Sequence, residues 1–386
     1  MEIRLIKPEE AIAYNKISAA SFIWKFDKDV DNKVEMPVLG AFQDGKLIAG
    51  MELFDFKCNY CGNLIDTLVL SGICSIPECR RMGGVRALFD EVGKSAIEND
   101  IVAGFLSPFS IEYYEKFGFA NLNRCFTIKV PFHNLQHIPR CNDVELFTGE
   151  QLPELCELHN KCVFKENLMT IREDEKHFCK TPLEEADYTY IHRNSQGEAN
   201  GYVRFKINRP EQLVAEELFV LTPEALKGII GFLRNYDGIV ETLKVRRQYQ
   251  GSPLSCLLDQ TDGVKYEHDV SYAGRIYNLK KLLENNAYPK EYGRFSILSL
   301  DDLEQNKGIF DVEYENGKAT VTQRADGDYD ISLTAPAAAR ILLAGEGHTA
   351  ETAVYIDGVE LKNNAENFFR AFPHRPTRFT DSFWSI

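Results

Sequence analysis

Near the start of the chain, apolar residues come in two bursts, Val38-Leu39-Gly40-Ala41-Phe42 and Leu47-Ile48-Ala49-Gly50-Met51-Glu52-Leu53-Phe54, on either side of Asp44-Gly45. An Asp-Gly pair between two such bursts predicts an antiparallel hairpin, because both turn positions of the favoured two-residue loop need φ > 0. A third strand is expected from Leu64 to Ser75, ended by Pro77, which has no N–H to give a central ladder. Beyond Gly83-Gly84, apolar residues fall at Val85, Leu88, Phe89, Val92, Ala96 and Ile97. That spacing makes one stripe on an amphipathic helix running to about Asn99. Ile101 to Leu106 reads as a short buried strand, Ile111 to Phe117 as a helical turn and Phe126 to Val130 as a further strand. The first domain is therefore expected to span residues 1–130.

The stretch Pro131 to Pro139 lacks periodicity and reads as a linker, after which Glu150 to Val163 has a helical pattern. Tyr188 to Ile191 and Gly201 to Ile207 flank a polar turn at Arg193-Asn194-Ser195-Gln196-Gly197. Strand Leu213 to Leu221, helix Pro223 to Tyr236 and strand Ile239 to Val245 follow. This order repeats the first domain: hairpin, strand, helix, strand. At the second strand-to-helix junction Thr222 is the expected N-cap and Pro223 the first helical residue, with no glycine loop between them. The second domain is expected over residues 131–274. From Arg275 onward come helix Leu279 to Asn285, two strands at Phe310 to Tyr314 and Lys318 to Thr322 joined through Asn316-Gly317, and helix Ala335 to Leu343. These give a third α/β domain over residues 275–386. The fold class is α/β with mixed sheets.

The composition narrows the function. Hydrophobic residues make up 44% of the 386 and charged residues 26%, ordinary for a globular protein, and no apolar run reaches the roughly 20 residues of a membrane span. The charged start MEIRLIKPEE lacks a secretory pattern, so a cytoplasmic location is expected. Of ten cysteines only Cys58 and Cys61 form a C-x-x-C pair; with no second pair and no clustered histidines, reduced thiols and no metal are expected. A net charge of −14 argues against nucleic acid and anionic membrane as partners and suits a cationic acceptor.

The sharpest chemical signal is Ile73-Cys74-Ser75-Ile76-Pro77-Glu78-Cys79-Arg80-Arg81-Met82-Gly83-Gly84-Val85. A glycine loop between a strand and a helix aims unpaired N–H groups and the positive helix end at an anion, and pyrophosphate is the natural occupant. Arg80 and Arg81 can add charge-assisted contacts. Taken alone, the segment also fits a plain helix start with solvated arginines. It resembles the acetyl-CoA loop of the GNAT superfamily, Gln/Arg-x-x-Gly-x-Gly/Ala, with Arg80 and Gly83 at the first and fourth positions and Val85 departing at the sixth. In the branch this chain looks most like, the Eis-like (enhanced intracellular survival) acetyltransferases, similar apolar residues fill that place. Downstream, Ile111-Glu112-Tyr113-Tyr114-Glu115-Lys116-Phe117-Gly118-Phe119 resembles the family's Tyr-x-x-Phe-Gly-Phe/Tyr segment, and Tyr114 falls on its general acid. The chemistry wants a donor there, because a thiolate leaving from an acetyl thioester is stabilised by a proton from a positioned group. Packing of both tyrosines against the sheet is the plainer alternative.

The resemblance extends over the whole chain. Glu217-Leu218-Phe219 with Thr222-Pro223-Glu224-Ala225 looks like the central domain of Eis-like proteins, and Gly274-Arg275-Ile276-Tyr277-Asn278-Leu279 like the start of their third. It implies two tandem GNAT-like domains, the second degenerate, and a C-terminal sterol-carrier-like domain. It also implies acetyl-CoA as cosubstrate, held by Ile73, Cys74, Ser75, Arg80, Arg81, Met82, Gly83, Gly84 and Val85, with the thioester carbonyl polarised by strand amides. In the family the chain's terminal carboxylate serves as general base. Here it belongs to Ile386, after Phe383-Trp384-Ser385, whereas the family often ends on an aromatic residue. The expected activity is N-acetyl transfer to a primary amine of a small molecule, polyamine or aminoglycoside-like, or to a lysine. A homo-oligomer, hexameric in the family, is implied. The alternative is a non-catalytic acyl-CoA or small-ligand sensor on the same fold.

Overall fold

The computed structural model describes residues 1–122, 125–173, 187–208, 211–249, 251–268, 272–363 and 365–380. The first stretch holds β1 (Glu2–Leu5), α1 (Ala11–Phe22), β2 (Val38–Gln43), β3 (Lys46–Tyr60), β4 (Asn63–Ser75), α2 (Gly84–Glu98), β5 (Ala103–Leu106), α3 (Ile111–Glu115) and β6 (Ala120–Asn121). Next come β7 (Phe126–Pro131), β8 (Val144–Leu146), α4 (Leu152–Val163), β9 (Asn167–Met169), β10 (Asp187–Arg193), β11 (Ala199–Asn208), β12 (Gln212–Val220), α5 (Pro223–Leu233), β13 (Thr242–Gln248), α6 (Pro253–Leu258) and β14 (Lys265–His268). The remainder contains β15 (Ala273–Ile276), α7 (Leu279–Glu284), β16 (Gly293–Leu300), β17 (Gly308–Glu315), β18 (Lys318–Arg324), β19 (Ile331–Thr334), β20 (Val359–Leu361) and β21 (Thr377–Thr380). No helix among the described residues is long and apolar enough to cross a membrane.

Two compact units result, one of residues Met1–Lys57, Asn63–Leu122 and Ser271–His374, the other of Cys58–Gly62, Asn123–Val270 and Arg375–Ile386. In the first, a seven-stranded mixed sheet has the order β1-β2-β3-β4-β5-β15-β6, and a five-stranded sheet has the order β18-β17-β16-β19-β20. The Asp44-Gly45 hairpin forms as expected, with φ of 50° and 75° at its tip. Leu88, Phe89, Val92 and Ala96, the stripe read from α2, are buried with Ile48, Ala49, Met51, Leu68 and Leu70 of the sheet. The cleft described below opens on this core.

The second unit is built on a sheet of order β14-β7-β13-β12-β11-β10-β8. Here the structure differs from the sequence reading. The strand expected at Phe126 to Val130 in the first domain spans Phe126–Pro131 and lies instead between β13 and β14, while β15 joins the first sheet, pairing with β5 from Ala273–Leu106 to Ile276–Ala103. A short apolar strand carries no mark of the sheet it will join, since only its pairing partners decide that. The linker read at 131–139 is likewise packed: Phe132, Leu135 and Ile138 are buried in the second core, with a 3₁₀ turn at Phe132–Leu135.

Behind β11 and β12 the second unit buries a charged network. Arg172 forms a bidentate pair with Glu217 at 2.7 and 2.9 Å; the Tyr202 hydroxyl stands 3.0 Å from Glu217 and 2.9 Å from Nδ1 of His159, whose Nε2 meets the Thr170 carbonyl at 2.9 Å. A carbonyl accepts only, so Nε2 carries the ring proton, while the single Tyr202 hydroxyl proton goes to the Glu217 carboxylate. Burial and Arg172 hold the His159 pKa well below its ordinary value, so the ring is neutral. The unfolded chain takes up a proton below about pH 6.5 that the folded chain refuses. This contribution is therefore present above that pH and is lost as pH falls, by up to about 1.4 kcal/mol per unit. Urea unfolding at pH 7.5 and 5.5 should show the loss, and His159→Gln should reduce it. An unchanged pH slope in that variant would rule out His159 as the cause.

Candidate active site

The parallel ladder between β4 and β5 covers only Thr67–Val69 against Ala103–Phe105, while β4 runs on to Ser75. Past the end of that ladder lies a cleft of about 720 Å³ in the first unit. One wall is the end of β4, Ile73, Cys74 and Ser75; the floor is the loop and first turn of α2; Tyr113, Tyr114 and Phe117 stand opposite.

The loop has the shape an anion site requires. A 3₁₀ turn at Pro77–Cys79 leads from β4, Arg81 takes φ 66°, and Gly83 caps α2 at φ 87°, a conformation costly to any residue with a Cβ. No side chain caps α2, so its first N–H groups face the cleft unclaimed by a cap, at the positive end of a 15-residue helix. Arg80, Arg81, Arg86 and Lys116 also line the cleft, and among the described residues none of them has a carboxylate partner. Four free cations at one cleft in a chain of net charge −14 are a local reversal of sign. An electropositive pocket of this kind attracts phosphates.

Tyr114 sits on α3, whose N-cap Ser110 accepts a hydrogen bond from the Tyr113 amide at 3.4 Å. Its ring is held by Phe89, Phe109, Phe119 and Tyr113 at centroid distances of 5.1 to 6.3 Å, all four edge-on with interplanar angles of 67° to 87°. The side chain is buried yet lines the cleft, and among the described residues its hydroxyl has no hydrogen-bond partner. Burial pushes its pKa above the ordinary phenol value, so it remains a protonated donor at neutral pH. Arg275 of β15, paired with Asp301 at 2.9 Å, donates to the carbonyl of Phe117 and braces the turn behind α3.

Of the expected cofactor residues, Ile73, Cys74, Ser75, Arg80, Arg81, Gly83, Gly84 and Val85 line this one cleft together with Tyr114. Met82 is 49% exposed and is not part of the lining. Ile386 lies outside the described residues. The sequence reading missed Arg86, Lys116 and Phe109. Arg86 was hidden on α2 and Lys116 at the C-cap of α3, where a charge reads as solvated surface. Behind the Cys74 wall, the Tyr14 hydroxyl lies 3.0 Å from both Glu52 and the Gly72 carbonyl. Burial raises the pKa of Glu52 and, with Glu52 close by, pushes the Cys74 thiol up to about 12. Among the described residues no group of three or more His, Cys, Asp or Glu is placed to hold a metal.

An open helix N-terminus beside the end of β4, among four cations, makes the cleft a site for a phosphate-bearing ligand. Residues 2–122 match the acetyltransferase (GNAT) domain, and residues 169–276 match a second acetyltransferase (GNAT) domain family. The two matches cover more than half of the chain, which belongs to the GNAT acetyltransferases, enzymes that use acetyl-CoA as cosubstrate. No curated protein matches the sequence. Among solved structures the fold is similar to that of an Enterococcus faecalis V583 protein described as a probable N-acyltransferase, at TM-score 0.87 and 19% identity over 99% of both chains. It is also similar to a GCN5-related N-acetyltransferase from Anabaena variabilis, at TM-score 0.83 and 17% identity over 98% of this chain and 100% of that one. Eis1 from Mycobacterium abscessus gives 0.76 and 17% over 99% of both.

Proposed function

We propose that this acetyltransferase moves the acetyl group of acetyl-CoA, bound in the cleft of the first unit, to a primary amine of a small molecule, polyamine or aminoglycoside-like, or to a lysine. The observation that carries the reading is the presence of a buried, protonated tyrosine hydroxyl and an uncapped helix N-terminus in one cleft. The neutral amine nitrogen attacks the thioester carbonyl carbon and forms a tetrahedral intermediate, whose oxyanion is stabilised by amides of β4. The C–S bond then breaks, and Tyr114 gives its proton to the departing thiolate. The ammonium formed on attack must lose a proton to a base. Resemblance to the Eis-like branch assigns that role to the terminal carboxylate of Ile386, and the same resemblance supports a sterol-carrier-like segment at 275–386 in a cytoplasmic homo-oligomer.

Free thiol released from acetyl-CoA should rise with amine concentration across a panel of polyamines, aminoglycosides and lysine peptides, and the product should gain one acetyl mass. Release that is independent of every amine would overturn the reading. A C-terminal extension of a few glycines converts the Ile386 carboxylate into an amide, which is no base near neutral pH, so turnover should fall by roughly tenfold or more while acetyl-CoA affinity holds. Unchanged turnover in the extended chain would remove Ile386 from the mechanism.

A further inference from the structure

The second unit has a cleft that the chemistry above does not use. It lies where β12 and β13 part: their parallel ladder runs from Gln212–Thr242 to Ala215–Val245, while β12 continues to Val220 and β13 to Gln248. Leu218, Phe219 and Val220 line it from β12, Gln248 from β13, and the start of α5 bounds it. In topology this is the position of the first cleft, beyond the end of a parallel ladder and beside the following helix. Its volume is about 440 Å³, within the range of metabolite pockets.

The chemistry of the two clefts differs. At the start of α5 the Thr222 hydroxyl accepts from the Ala225 amide at 3.2 Å, and Pro223 has no N–H, so the amides that would hold a pyrophosphate are capped or missing. The walls are mainly apolar, with Leu226, Leu254 and Leu257 joining those of β12. Arg378 lines one side, but its guanidinium is neutralised by Glu166 at 2.6 and 2.8 Å. Lys165 and Lys227 complete the lining as exposed groups, and among the described residues neither has a carboxylate partner. Among the described residues, Lys165 Nζ donates to the Leu221 carbonyl, at 3.1 Å. An apolar cavity thus carries two uncompensated positive charges at its rim, within an acidic chain.

We propose that this cleft binds an apolar carboxylate, with its hydrocarbon body between β12 and β13 and its single negative charge at Lys165 and Lys227. The site is separate from that of acetyl-CoA and does not depend on the catalytic reading. The test is calorimetric titration of the full chain with decanoate and with decylammonium, two probes that share a tail and differ in sign. Decanoate should bind about fivefold or more tighter, the scale of two rim charges. Leu257→Trp and Val220→Phe, which fill the cavity from two sides, should each weaken decanoate by about tenfold or more without changing acetyl-CoA affinity. Lys165→Glu with Lys227→Glu should abolish the preference for the anion. Equal affinity for both probes, no binding of either, or decanoate binding that survives both filled variants in chains with an unchanged thermal midpoint would overturn the proposal.

Discussion

Tyr114→Phe should lower kcat by roughly 10²- to 10⁴-fold, the range for removal of a general acid, while the Kd for acetyl-CoA stays as it was. The substitution removes one oxygen from a ring that keeps every aromatic neighbour, Phe89, Phe109, Tyr113 and Phe119. Among the described residues the hydroxyl has no hydrogen-bond partner, so its loss orphans no buried group, and stability should change little. Tyr113 supplies the control. It lines the same cleft but is half-exposed and sits near Lys116, and Tyr113→Phe should cost far less. Stopped-flow thiol release with both variants decides the matter; a large loss in Tyr113→Phe and none in Tyr114→Phe would transfer the role to the neighbouring ring.

Gly83→Val should weaken acetyl-CoA binding by roughly 10- to 100-fold, because a β-branched residue at φ 87° carries about 1–3 kcal/mol of backbone strain that the loop can shed only by moving. A Cβ built at Gly83 meets nothing within 4 Å, so the effect comes from the backbone rather than from a clash inside the protein. Gly149→Val is the matched control, since Gly149 has φ 99° and the same open surroundings but belongs to the second unit. It should lose similar stability and no acetyl-CoA affinity. Equal Kd values for wild type and Gly83→Val by calorimetry would mean that the loop geometry does not hold the nucleotide.

Most of the secondary structure could be read from the chain wherever a periodic stripe or a turn pair marked it. The stripe of α2, the Asp44-Gly45 and Asn316-Gly317 hairpins, and Thr222 as a cap are all present. Helix α1 was missed because Ala11–Phe22 spreads small and apolar residues round every face and so shows no stripe. Strand β16, central in its sheet, alternates buried and exposed residues over Gly293–Leu300, but the sequence follows that alternation only to Ile297, since Ser299 is buried and Leu300 exposed. In the site, the loop and Tyr114 were legible because motif spacing reports them. Arg275, which braces the turn behind Tyr114 from more than 150 residues downstream in sequence, was not, because no local pattern encodes a contact that the fold alone creates.

The place of β15 between β5 and β6 bears on how the protein is made. Ribosomes deliver the chain from its N-terminus, and the segment up to Leu122 emerges with one slot in its sheet still vacant. The strand that fills this slot, Ala273–Ile276, arrives roughly 150 residues later, which at ~5–20 residues per second is a wait of about 8–30 s. Through that interval the backbone edge of β5 stands open in the nascent chain, a template for pairing with any other extended segment. The first unit, although translated first, therefore waits for a strand made long after its other strands, and a nascent chain stalled before residue 276 is the form of this protein most in need of a chaperone.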